Sequence, residues 1–117
     1  MKENKIIGTT INFKTFEVTQ NKFPEKMSWN NAKVACEELG EGWRLPTKKE
    51  LNILYENKEK IHNIEYSHFW SSSDNDGWFK LDGGMGKLVR WTQQFWNGDQ
   101  FPQPTFAEYN VIAVRSL

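Results

Sequence analysis

The chain of 117 residues has one cysteine, Cys36, which excludes an intramolecular disulfide and a cysteine-built zinc site. An excess of charge of either sign is also missing, because fifteen basic and fifteen acidic side chains cancel. The lysines are scattered, and no basic stripe marks the footprint of a nucleic-acid binder. No apolar run in the opening residues MKENKIIGTTINFK is long enough for a signal peptide or a membrane span. The expectation is a soluble chain, off the membrane and cytoplasmic by default. Only two histidines occur, His62 and His68, and neither has a partner at motif spacing. Ser71, Ser72 and Ser73 stand without a base or a nucleophile-elbow context, so no catalytic residue and no enzyme is expected. No repeat or low-complexity segment appears, and the length suits one domain spanning 1–117.

Aromatic residues are abundant: six tryptophans, three tyrosines and eight phenylalanines. Each ring buries roughly 200 Å², so a core built on rings is expected. Six tryptophans in so small a body cannot all be central. Some should sit at the surface, where a ring with a polar edge suits ligand contact.

The chain opens with β-branched and aromatic residues in partial alternation from Lys5 to Gln20, read as one or two strands. Ser28 sits at an N-cap position ahead of Trp29, Ala32, Cys36 and Leu39 at helical spacing, and Gly40 supplies a left-handed stop. The stretch GWRLPTKKEL follows. Thr47 and Glu50 have capping-box spacing, and Pro46 keeps Leu45 out of helical geometry. Leu51, Leu54 and Tyr55 then form the apolar stripe of a second helix running to about Lys58. Trp43 and Leu45 are expected as core anchors of this hinge, with Arg44 pointing outward or buried against a carboxylate. From Phe69 onward the pattern reads as strand: FWSSS, WFKLD, KLVRWTQQFW and EYNVIAVRSL. NGDQFPQPTF is read as a polar loop. Strand, two helices and an antiparallel meander make an α+β domain.

SWNNAKVACEELGEGWRLPTKKELNILYENKEKI, FWSSSD, RWTQQFWNGDQ and VIAVRSL resemble the C-terminal domain family of bacterial collagen-like proteins, from about Phe16 to Leu117. The resemblance implies a C-type-lectin-like fold. In it the N- and C-terminal strands pair, two helices pack on antiparallel sheets, and a smaller sheet carries a variable face. It also implies binding of sugars, glycosaminoglycans or proteins through that face, and no catalytic residue. NDGWFKLDGGMGKLV is longer than the family connection and reads as an extra hairpin across 75–89.

No metal or cofactor is expected. An EF-hand register on Ser72, Asp74, Asp76 and Gly77 places Gly83 where a bidentate glutamate is required. WNGDQ approximates the Trp-Asn-Asp calcium motif of animal lectins, but Gly98 breaks its spacing. In KLVRWTQQFW, alternation puts Val89, Trp91, Gln93 and Phe95 on a core face and Arg90, Thr92, Gln94 and Trp96 on the other. The second set, with Trp78, Lys80, Asn97, Asp99 and Gln100, is the expected site for a carbohydrate or protein ligand. The rival expectation is a structural or assembly unit of a larger particle, phage-derived in one version, with its rings buried between subunits.

Overall fold

The computed structural model describes residues 6–61, 63–73 and 89–117. His62, Trp78 and Lys80 lie outside the described residues, as does the 75–89 hairpin except for Val89.

Two short strands, β1 (Ile11–Asn12) and β2 (Phe16–Val18), open the chain, and β2 pairs antiparallel with the last strand, β6 (Val114–Ser116). Phe16 faces Ser116 and Val18 faces Val114 across this pair, so the two ends of the chain are joined. The second sheet has the order β3 (His68–Trp70), β4 (Val89–Gln94), β5 (Gln100–Pro104), antiparallel throughout. Helices α1 (Trp29–Glu37) and α2 (Lys48–Glu56) fill the interval between the sheets in sequence, and a 3-10 turn, Lys58–Lys60, follows α2. No helix of the described residues is long and apolar enough to cross a membrane.

β5 corrects the reading of NGDQFPQPTF as a loop. Pro102 and Pro104 stand opposite Trp91 and Val89 of β4, two residues apart on an edge strand. Proline lacks the ladder N–H, so it is tolerated where that group would face away from the neighbour. The two prolines occupy such alternate places. The second helix likewise ends at Glu56, two residues before the expected limit.

The segment Val111 to Val114 is buried at every residue, because it divides two cores. Ile112 and Val114 point into one core with Phe16, Val18, Leu51, Leu54, Phe69 and Phe95. Val111 and Ala113 point into the other with Ala32, Cys36, Trp43, Leu45 and Trp70. Period-two alternation thus serves two apolar sides at once, and the sequence reads as a continuous apolar run. Each helix seals one core: α1 through Ala32 and Cys36, α2 through Leu51 and Leu54.

The connector between the helices is held at both ends. Gly40 and Gly42 take φ of 82° and 89°, the left-handed region that glycine enters without penalty. Arg44 then bridges Val114 with two backbone hydrogen bonds of 2.9 and 2.8 Å, which adds one residue to the edge of β6. Trp43 and Leu45, on either side, fall into the second core at 2% and 3% exposure. At Thr47 both halves of the capping box form: the Thr47 hydroxyl accepts from the Glu50 N–H, and a Glu50 oxygen accepts from the Thr47 N–H. Ser28 occupies the N-cap of α1, yet its side chain makes no capping bond. The start of α1 is held by Trp29, whose backbone N–H donates to Thr105 O and whose indole donates to Ser71 O at 2.9 Å.

Candidate functional site

β4 lies between two crowded faces, so alternation along it does not separate wet from dry. Trp91, Thr92 and Gln93 are consecutive and all buried. Thr92 is therefore not on an open surface: its hydroxyl donates to Phe101 O at 2.9 Å and sits 2.7 Å from His68 Nε2. The one hydroxyl proton is committed to Phe101, so His68 must be the donor in the second contact and carries its proton on Nε2.

Arg90 is half-buried, with its guanidinium 4.3 Å from the Trp29 ring centroid and Nη1 donating to Val89 O. A cation over an indole face is held by the ring quadrupole. Trp96 is the open member of the set at 47% exposure, with its ring edge-to-face with His68 at 6.0 Å. His68 in turn lies tilted against Tyr109, with ring centroids 4.2 Å apart. Gln94 is half-buried on the same face. Phe101, cross-strand from Thr92 and 39% exposed, also belongs to this face. Sequence reading misses it because NGDQFPQPTF reads as a loop; the Gln-Phe-Pro-Gln alternation is the available signal.

Asn97 and Asp99 bond each other. Asn97 Oδ1 accepts from the Asp99 backbone N–H at 3.0 Å, and Asn97 Nδ2 donates to Asp99 Oδ2 at 3.1 Å. These bonds shape the β4–β5 turn, and Gly98 between them has φ of 83°. A Cβ at Gly98 would stand 2.6 Å from the Tyr55 ring, so the glycine is needed on two counts. Among the described residues no group of three or more His, Cys, Asp or Glu could hold a metal ion.

Gln100 lies on the opposite side of the sheet from Arg90, Thr92 and Gln94, because it pairs with Gln93. The expected site is therefore split by the sheet itself. On this second side a cleft of about 810 Å³ opens between the first turn of α2 and the β4–β5 hairpin, lined by Lys48, Lys49, Asn52, Ile53 and Gln100 among others. Lys48, Lys49 and Asn52 were not singled out from sequence. The i, i+4 spacing of Lys48 and Asn52 in α2 was the usable signal.

Buried titratable groups follow their surroundings. Burial, and secondarily the charge of Glu37, pushes the Cys36 thiol up to about 12, so it is an unreactive packing group at neutral pH. Hydrogen bonds from the Thr10 hydroxyl and then Arg115 hold Glu17 below the usual carboxylate range. Burial, with a smaller contribution from Lys26, lowers His68 from 6.5 to about 4. The unfolded chain thus takes up a proton at this residue before the folded chain does, and stability should fall as pH drops from about 7 toward 4. The full shift corresponds to about 3 kcal/mol, which partial exposure of the ring reduces to about 1–2 kcal/mol. Urea unfolding between pH 4.5 and 6.5 should therefore show a slope that flattens in His68→Gln. An unchanged slope would refute the assignment.

No protein-family model and no curated protein matches the chain. Among solved structures it is similar to botrocetin, at 16% identity and TM-score 0.65, over 94% of this chain and 98% of that one. It is also similar to the snake venom toxin convulxin, at 11% identity and TM-score 0.66, over 94% and 96%. A third similar structure is EMS16, an antagonist of the collagen receptor integrin α2β1, at 11% identity and TM-score 0.65, over 92% and 97%. The fold is C-type-lectin-like: the described residues form two helices with two antiparallel three-stranded sheets, the first pairing β2 with β6.

Proposed function

We propose that the chain is a non-enzymatic binding module that recognises a carbohydrate or a protein on the sheet face around Arg90, Gln94, Trp96 and Phe101. Trp96 carries the reading. A large indole, half exposed and propped edge-on by a histidine, costs little entropy to dock and offers both a face and an N–H. Asn97 and Asp99 shape the adjoining turn, and Arg90 lies against Trp29 at the far end of the face. A protein partner is the favoured kind, since botrocetin forms a complex with a von Willebrand factor A1 domain and EMS16 antagonises an integrin. Kinship with the C-terminal domains of bacterial collagen-like proteins belongs to the same proposal and rests on the sequence motifs.

A glycan array and a protein microarray supply the test. Truncating a tryptophan hot spot costs about 2 kcal/mol, so the strongest signal should weaken roughly 30-fold in Trp96→Ala. Arg90→Ala should weaken it less, because its guanidinium is half-covered. A signal unchanged in both variants would sink this face as the site. A stable oligomer in light scattering, with Trp96 fluorescence shielded from quenchers, would instead favour the assembly unit.

A further inference from the structure

On the other side of the sheet, three carboxamides, Asn52, Gln93 and Gln100, and two lysines, Lys48 and Lys49, are arranged at the cleft in a way that no part of the face reading uses. Gln93, fully buried, donates from Nε2 to Gly98 O at 3.0 Å and to Asn52 Oδ1 at 2.8 Å. Gln100 donates from Nε2 to Lys48 O at 3.1 Å and to Gln93 Oε1 at 3.2 Å. Two backbone carbonyls anchor this chain of bonds, and of a carboxamide's two ends only the NH₂ can donate to a carbonyl. The amide orientations of Gln93 and Gln100 therefore follow, and with them that of Asn52. The result is that Asn52 spends its oxygen inward and keeps its NH₂ for the cleft. Gln100 spends its NH₂ inward and keeps its oxygen for the cleft. Both residues line it.

The same wall carries cations. Lys48 Nζ lies 3.4 Å from the Trp91 ring centroid, and among the described residues neither Lys48 nor Lys49 has a carboxylate partner. Ile53 adds an apolar surface beside them. A fixed donor with nearby positive charge, next to a fixed acceptor, fits a ligand with a carboxylate and an N–H on one edge.

We infer that this cleft is a second ligand site, which takes an N-acylated α-amino carboxylate, the C-terminal residue of a peptide. In such a residue the carboxylate and the amide N–H are both carried by one Cα, so a single conformer can present the two to one wall. The carboxylate accepts from Asn52 Nδ2 and the lysine ammonium groups, the N–H donates to Gln100 Oε1, and an apolar side chain rests on Ile53. Charge-assisted bonds of this kind are the strong ones. In sugar acids no N–H shares a carbon with the carboxylate in this way, which makes them the weaker fit.

The test uses the full chain and a library of acetyl-Gly-Gly-Xaa peptides with every side chain at Xaa, followed by NMR of the side-chain amides. Free-acid peptides should shift the Asn52 and Gln100 amide signals, with apolar Xaa preferred, and their C-terminal amides should bind about tenfold more weakly or worse. Asn52→Asp keeps the oxygen that Gln93 needs and removes the donor, so it should lose about tenfold or more in affinity with an unchanged melting temperature. Trp96→Ala should leave this binding intact, which separates it from the proposal for the opposite face. The inference is overturned if no peptide shifts those signals, if acid and amide bind alike, if Asn52→Asp binds as well, or if glucuronic or N-acetylneuraminic acid occupies the cleft and peptides do not.

Discussion

Glu50→Ala should melt the protein roughly 10–15 °C lower, a loss of about 3 kcal/mol. One carboxylate has two duties here. Its oxygens take a bidentate pair from Arg44 at 2.7 and 2.9 Å, and one of them also closes the capping box on the Thr47 N–H. Burial by itself would raise the Glu50 pKa. Arg44 and the Thr47 backbone outweigh it and hold the carboxyl below the usual range. Its contribution is thus present above pH 4.5 and is lost as pH falls through the lowered value.

Removing the carboxylate strands Arg44, whose remaining partners are Leu45 O and the Ser116 hydroxyl. An unpaired, partly buried charge is the larger cost, and the lost cap adds about 1 kcal/mol. Glu50→Gln retains the cap and loses the ion pair, so it should fall between wild type and alanine. The double variant Arg44→Met with Glu50→Ala should be less destabilised than Glu50→Ala alone, because no charge is left stranded. Chemical denaturation of wild type, Arg44→Met, Glu50→Ala and the double variant completes the cycle. If the double variant is the sum of the singles, the pair has no coupling and this account of the hinge fails.

Trp70→Ala should be more damaging still, at about 4–5 kcal/mol. The indole is fully buried in the second core, edge-on to Tyr109 at 5.2 Å, and donates to Met27 O at 2.8 Å. That bond ties β3 to the segment entering α1, which the Met27–Tyr109 bridge also holds. Trp70→Phe keeps most of the ring and drops the N–H. It should cost about 2 kcal/mol, from one unsatisfied carbonyl and a modest void. Near-UV circular dichroism and urea midpoints would check both. Equal losses for alanine and phenylalanine would mean that the hydrogen bond, and not the ring volume, holds this core.

The hinge was legible because its signals are local. A capping box is a relation between residues three apart, a proline restricts its predecessor, and glycine at a helix end reports φ. Thr47, Glu50, Leu45 and Gly40 therefore spoke for themselves. The sheet face was less legible. Alternation in KLVRWTQQFW correctly grouped Gln93 with Phe95, but it assumed that the other face was wet. Thr92 is sealed there by His68 and Phe101, residues 24 positions before it and nine after it. Gln100 joined the wrong group because no turn geometry was available to say which side of β5 it would take.

From the order of residues alone came the α+β class, the two helices, the capping box of the second, the joining hinge and the ring-rich core, since each depends on neighbours within a few positions. The tertiary structure decided the rest: which of β4's faces is covered, that a proline-bearing segment pairs as an edge strand, and that Asn52, Gln93 and Gln100 form one oriented chain of amides. Those outcomes depend on hydrogen bonds that reach as far as 41 and 52 positions along the chain, and no local pattern encodes such partners.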